Sequence, residues 1–205
     1  IKELQHFVED HFNEMEISHF QRLYEGIDSS LKGTFNLQYR MHPDINEVIE
    51  QFYRQDGGLY CGLTKPVDLG VNDIDINNPA SRYHGIDIKG LIGHNTHVLF
   101  IDTKSPEMMD GHSRVNYGEV ETIDRLLERF DISSTFQRYL SKFSKDEDKQ
   151  IGIISFYGKQ IKQLRSIAFK HPSLPIRVST VDRFQGMERN IVIVSITLGS
   201  LTITF

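Results

Sequence analysis

Residues 97–102, 150–155 and 191–197 are continuous apolar runs of strand length, the pattern expected of strands buried on both faces of a sheet. Helical spacing separates them. Val120, Ile123, Leu127 and Phe130 recur on one face in the first interval, and Ile161, Leu164 and Ile167 in the second, with a weaker strand at 176–179. Buried strands alternating with amphipathic helices predict an α/β three-layer domain, a mostly parallel sheet flanked by helices.

The N-terminal part is less regular. Residues 2–16 and 18–24 have helical spacing, 33–37 reads as a brief strand, and Pro43, at a favoured first helical position, opens a segment with Ile45, Val48, Ile49 and Phe52 at helix period. Gly57-Gly58 ends it in a turn. From 59 to 97 the chain is rich in Gly, Asn, Asp and Pro, which predicts a largely irregular insertion broken by the apolar piece 86–92. A short helix is expected near 136–143 and a solvated loop at 145–149. The 205 residues are expected to form one domain.

Composition narrows the class. With 39% hydrophobic and 25% charged residues the chain is neither a disordered tail nor a membrane protein. Its apolar runs fall far short of the ~20 residues of a membrane span. The first twelve residues carry Glu3, Glu9 and Asp10, unlike a secretory signal, so an intracellular location is expected. Cys61 is the single cysteine, which excludes an internal disulfide, and the nine histidines lack a metal-binding framework, so no metal site is expected on this chain. The formal charge is -5, yet no acidic residue lies between Asp148 and Asp182, where Lys149, Lys159, Lys162, Arg165, Lys170 and Arg177 occur. This interval is either a solvated helix face or a local anion-binding surface.

In doubly wound sheets, function gathers at the carboxyl ends of strands. LQYRMHP at 37–43 places Tyr39 and Arg40 between a strand and a helix, where the guanidinium fork could hold a phosphate or simply cap the surface. SRVNYGE at 113–119 leads from a loop into a helix, with Asn or Ser capping as the simplest reading. IGIISFYGKQ at 151–160 ends a strand in Ser155 and Tyr157, either an ordinary cap and core ring or a phosphate and base contact. STVDRFQGMERN at 179–190 packs many polar groups between two buried strands, and a ligand is one source of the partners they need.

In this order and spacing, the four segments resemble superfamily 1 helicases of the group that contains the nonsense-mediated-decay helicase and senataxin. The likeness covers roughly residues 20–197, weakly across 59–97. It implies the second, C-terminal RecA-like motor domain, in a P-loop NTPase-type fold. By resemblance, Tyr39 and Arg40 approach the adenosine and phosphates of ATP, Gly186 and Glu188 face the nucleotide, and Arg40 and Glu188 act in catalysis. Ser155, Tyr157, Ser179, Thr180 and Asp182 would face a single strand of DNA or RNA, although Phe156 stands where the family has Pro.

The sequence holds no GxxxxGK[ST] phosphate loop and no Walker-B acidic pair, which in the family belong to the first motor domain along with the ligands of Mg2+. It also stops short of the segment matching the family's arginine-finger motif. The resemblance therefore implies an ATP-dependent helicase in which this chain forms half of the ATP cleft and half of the strand track beside the first RecA-like domain, and is inactive alone. The alternative is a non-catalytic module derived from a helicase half that binds nucleic acid or protein.

Overall fold

The computed structural model describes residues 18–72, 75, 81–142, 150–198 and 200–204, with only the backbone described at 56, 66, 67 and 200–204. A five-stranded sheet organises the chain, in the order β3 (Val98–Asp102), β9 (Ser200–Thr204), β8 (Ile191–Ser195), β6 (Ile151–Ser155), β7 (Ile176–Thr180). β8, β6 and β7 are mutually parallel, whereas β9 runs antiparallel to both β8 and β3. The sheet is therefore mixed, with a parallel half and an antiparallel half. β9 is the strand that the periodicity did not predict.

The two β6–β8 intervals behave as their sequences demand. Ile151 and Ile153 on β6 and Ile191 and Ile193 on β8 are fully buried, paired Ile151↔Ile191 and Ile153↔Ile193. Over them lies α3 (Tyr117–Ile132), whose buried stripe Ile123, Leu126, Leu127 and Phe130 follows the 3.6-residue period. α5 (Gly158–Ala168) packs beside it and buries Ile161, Leu164 and Ile167. Asn116 caps α3 by accepting the Glu119 amide at 3.0 Å, and the helix ends at Ser133, whose hydroxyl starts α4 (Ser134–Leu140) by accepting from Phe136 N at 3.2 Å.

The opposite face of the sheet carries Gly152, Ile154, Val192 and Val194. Among the described residues its cover includes a single-turn helix, α6 (Val181–Phe184), whose Phe184 ring lies against β6. A Cβ on Gly152 would meet that ring at 2.7 Å, so the glycine in an otherwise branched strand marks a close approach.

β3 differs from expectation. It lies at the edge of the sheet, and Phe100 is 61% exposed, so its apolar run is not doubly buried. An edge strand has a neighbour on one side only, and a short apolar run cannot reveal that by composition. The described residues of 59–97 are irregular, with a two-residue strand β2 (Tyr60–Cys61), a 3-10 turn at Pro66–Leu69 and an isolated bridge between Ile88 and Ile92. It is nonetheless part of the core. Ile86 and Ile92 are 1% exposed within the main cluster, and Gly85, at φ 74°, sits so close to the start of α4 that a Cβ would fall 2.7 Å from the Thr135 carbonyl oxygen.

At the N-terminal side, α1 (His19–Gly26) is capped by Ser18, the strand β1 shrinks to Leu37–Gln38, and α2 (Pro43–Ile49) begins at Pro43. Gly57 and Gly58, at φ 93° and 82°, make the expected turn. β1 pairs in parallel with β2. A β4 (Met108–Asp110) and β5 (Ser113–Val115) hairpin turning at Gly111 precedes α3. The helix expected at 2–16 and the loop expected at 145–149 lie outside the described residues.

Phe130 is fully buried against Phe136, with ring centroids 5.0 Å apart, so Phe130→Ala should cost about 3–5 kcal/mol by cavity formation. Phe169 is 85% exposed, and Phe169→Ala should change stability by less than about 0.5 kcal/mol. Urea denaturation of both variants checks the placement of the core; equal losses would contradict it.

Candidate functional site

The turn carrying Tyr39 and Arg40 is built by one side chain. Gln38 accepts from the Arg40 and Met41 amides at 2.8 and 2.7 Å, and donates to Asn46 Oδ1 at 3.0 Å. Asn46, 4% exposed, donates in turn to the Leu59 carbonyl at 3.1 Å, which ties the turn to the strand β2. Gly62 completes it, because a Cβ there would fall 2.3 Å from Tyr39 Cε1 and so drive the ring away. Tyr39 lies 65% exposed over that glycine. Gln38, Asn46 and Gly62 were not singled out in sequence; the glutamine inside QYR was the available signal.

Arg40 reaches Glu188. The guanidinium Nη2 and the carboxylate Oε2 are 3.0 Å apart, with the side chains 52% and 66% exposed. A pair this open to water contributes about 0–1 kcal/mol to stability, so its placement is more informative about the surface than about folding. It joins two segments far apart in sequence that the resemblance had independently assigned to the nucleotide. Glu188 arrives there through Gly186, which turns the chain at φ 78° after α6, a conformation that disfavours any side chain. Behind the turn, the Arg189 guanidinium lies 5.7 Å from the centre of the Phe184 ring.

The carboxyl ends of the parallel strands meet in register, Ser155 opposite both Thr180 and Ser195. Two of the residues expected to face a strand are buried here. Ser155 is 0% exposed, its hydroxyl 3.3 Å from Thr197 Oγ1, and Ser179 is 4% exposed. Strand alternation puts Ser155 on the same face as Ile151 and Ile153, the face that packs under α3, so its hydroxyl has no surface from which to meet a phosphate. Tyr157 and Thr180 are half-buried and Asp182 is exposed, leaving those three at the surface. Beside Tyr157, the first turn of α5 has no side-chain cap of its own; Ser113 accepts the Lys159 amide at 3.2 Å, and Lys159 Nζ lies 3.1 Å from Asp110. A groove of about 490 Å³ lined by Arg165, Phe169, Leu174 and Ile176 lies at the other end of β7 and touches none of these residues.

The fold also gathers His42, Asp44 and His97, one potential ligand atom of each lying within 4.8 Å of the others, although their spacing in sequence gave no sign of it. The imidazoles of His42 and His97 stack at 3.5 Å and 20°, His42 Nδ1 already accepts the Asp44 amide at 3.2 Å, and Lys65 Nζ engages the Asp44 carboxylate at 3.2 Å. This is the arrangement of neutral stacked rings. Burial, reinforced by the neighbouring His97, holds His42 down to about 4, and burial holds His84 at about 3.

Comparison with known proteins agrees with the motifs. The family model described as an AAA domain matches residues 15–200, and the chain belongs to that family, the C-terminal helicase-like region of superfamily 1. Its fold is accordingly of the RecA-like P-loop type. The chain is 28% identical over 170 residues to the DNA replication ATP-dependent helicase/nuclease dna2 of Schizosaccharomyces pombe, covering 79% of the chain and 11% of that protein. It is 32% identical over 180 residues to a protein of Dictyostelium discoideum named as a probable helicase, covering 86% of the chain and 15% of the relative. Against the Drosophila melanogaster protein named as the probable RNA helicase armi, identity is 30% over 117 residues, 57% of the chain and 8% of the relative. The chain thus spans less than a fifth of the length of these relatives. No helix among the described residues is long and apolar enough to cross a membrane.

The buried histidines carry a pH dependence. Their folded pKa values lie below the unfolded value of ~6.5, so between about pH 6.5 and 4 the unfolded chain binds protons that the folded chain refuses. Stability should therefore be full above about pH 6.5 and fall with acidification, by at most ~1.4 kcal/mol per pH unit for each ring. His42→Asn, which keeps an acceptor for the Asp44 amide, should make the decline between pH 6.5 and 4 shallower in urea denaturation. An unchanged slope would mean that the His42 ring is not held neutral.

Proposed function

We propose that this chain is the second motor domain of an ATP-dependent superfamily 1 helicase, supplying one wall of the ATP cleft and half of a single-strand track. The observation that carries the reading is the Arg40–Glu188 pair. An arginine held at the surface by a carboxylate, on a turn braced by Gln38 and Asn46, is oriented before any ligand arrives. Its fixed positive fork suits the charge that develops on a transferring phosphoryl group, and orientation in advance is what makes such stabilisation effective. Glu188 both aims the guanidinium and offers an acceptor to the nucleotide. Tyr39, exposed on the same turn, offers its ring to the adenine.

On this reading the phosphate loop and the Mg2+ ligands come from a first RecA-like domain, and hydrolysis takes place only between the two. Opening and closing of that cleft would move the two halves of the track along a strand. Tyr157, Thr180, Asp182 and Lys159 form this chain's share of the track, at the carboxyl ends of β6 and β7, where doubly wound sheets place their ligands. The aromatic ring supplies a stacking face and Lys159 a backbone charge, neither of which selects a base sequence.

In the intact parent protein, Arg40→Ala should reduce strand-stimulated ATP hydrolysis by about 100-fold, the scale of losing one oriented transition-state contact, and Glu188→Gln by about tenfold. Steady-state ATPase assays with saturating single strand test this. Activity unchanged in both variants would contradict the nucleotide-facing assignment and favour a non-catalytic binding module.

A further inference from the structure

Where β6 and β8 run out under α3 and α5, five buried polar side chains replace the isoleucines of the core. Glu119, Gln160, Asn116, Ser195 and Thr197 are all 0% exposed. Glu119 Oε2 accepts two hydrogen bonds, from Ser195 Oγ at 2.6 Å and from the Thr197 amide at 3.0 Å. Gln160 donates to Ser195 Oγ at 2.8 Å and to the Asn116 carbonyl at 3.3 Å, while its own oxygen accepts the Asn116 amide at 2.9 Å. Asn116 donates to the carbonyls of Ser105 at 2.9 Å and Thr197 at 3.5 Å. Thr197 itself is held at φ 74°, a left-handed conformation that a β-branched residue avoids.

This arrangement is expensive as a way of filling a core. Apolar side chains of the same volume would close the layer at less cost, as Ile151, Ile153, Ile191 and Ile193 do one and two turns of the pleat away. What the polar groups provide, and isoleucines could not, is a fixed geometry. They hold the backbone at Thr197 in a strained conformation, fasten the first turn of α5 through Gln160, and tie both to the start of α3. Directly above that fastening stand Tyr157 and Lys159, at the N-terminal turn of the same helix, and Ser155, in register with Thr180, closes the knot against Thr197.

We infer that Glu119 and Gln160 are positioning residues of the strand track, acting through Ser195, Thr197 and the first turn of α5 on Tyr157 and Lys159. The inference rests on the track reading above. It assigns the SRVNYGE segment a part in strand binding although neither residue reaches the surface. It also explains why Ser155 is polar and buried: its hydroxyl belongs to the knot and does not touch the strand.

The test measures ATP hydrolysis by the intact parent protein as a function of single-strand concentration, with thymidine and uridine homopolymers as probes, and separately as a function of ATP. Glu119→Ala leaves two donors without their acceptor and should raise the half-saturating strand concentration by about tenfold, with the KM for ATP within about twofold of the wild type. Glu119→Gln keeps an oxygen able to accept both bonds and should return to within about twofold of the wild type. Ser195→Ala, which removes one oxygen, should produce the same split at about threefold and serves if Glu119→Ala does not fold. Equal movement of the strand and ATP parameters, no movement of either, or a Glu119→Gln variant as defective as Glu119→Ala overturns the inference while leaving the motor reading intact. A wild-type parent that no strand stimulates brings down the track reading and this inference with it.

Discussion

The carboxylate of Glu119, buried between α3 and the end of β8 and shared between the Ser195 hydroxyl and the Thr197 amide, is the constraint on which the arrangement of the neighbouring surface depends. Most of the core could be rebuilt from other aliphatic residues of similar volume, because dispersion and burial are indifferent to direction. A buried carboxylate is not indifferent. It requires donors in defined places, and those donors come from the end of β8 and, through Gln160, from α5. Helix and sheet are thereby fixed to one another at the end of the sheet where parallel α/β folds carry their ligands. Ordinary packing holds the domain together, while hydrogen bonds decide where its working edge lies.

At the other candidate site the logic is the reverse. Arg40 and Glu188 are exposed, and their ion pair adds little to stability. Precision there comes from the neutral groups behind it: Gln38 gathering two amides, Asn46 bracing Gln38, and Gly62 giving room to the Tyr39 ring. The charged side chains are left in solvent, able to exchange one another for a ligand. A surface of this kind is suited to half of a cleft, with functional groups presented and the opposing wall supplied by another domain.

Much of the fold could be read from period alone. Isoleucine runs gave β6 and β8, and the stripes of α3 and α5 followed the 3.6-residue repeat, because in both cases the pattern is imposed by a single large interface. The antiparallel half was harder to read. The apolar run of β3 could not show that it has only one neighbour, and β9, which lies between β3 and β8, alternates Ser, Leu, Thr, Ile and Thr at strand period, a signal that a search for continuous apolar runs passes over. The insertion was legible as irregular but not as core, since Ile86 and Ile92 are isolated anchors without period. At the sites, motifs indicated which residue types mattered, and tertiary burial decided their roles. Ser155 and Ser179 were assigned to the strand by resemblance, yet strand alternation turns Ser155 inward, and the fold stacks His42 on His97 and sets His84 edge-on to His97, although no local pattern connects positions 42, 84 and 97.

The most direct measurement is the rate of ATP hydrolysis by the full-length parent protein with and without a single strand of DNA or RNA, beside the same assay on this chain alone. The account predicts hydrolysis by the parent, stimulated by a strand, and none by the chain alone, because the wall bearing Arg40 and Glu188 lacks the opposing phosphate loop. Hydrolysis by the chain alone, or a parent indifferent to every strand, would contradict it.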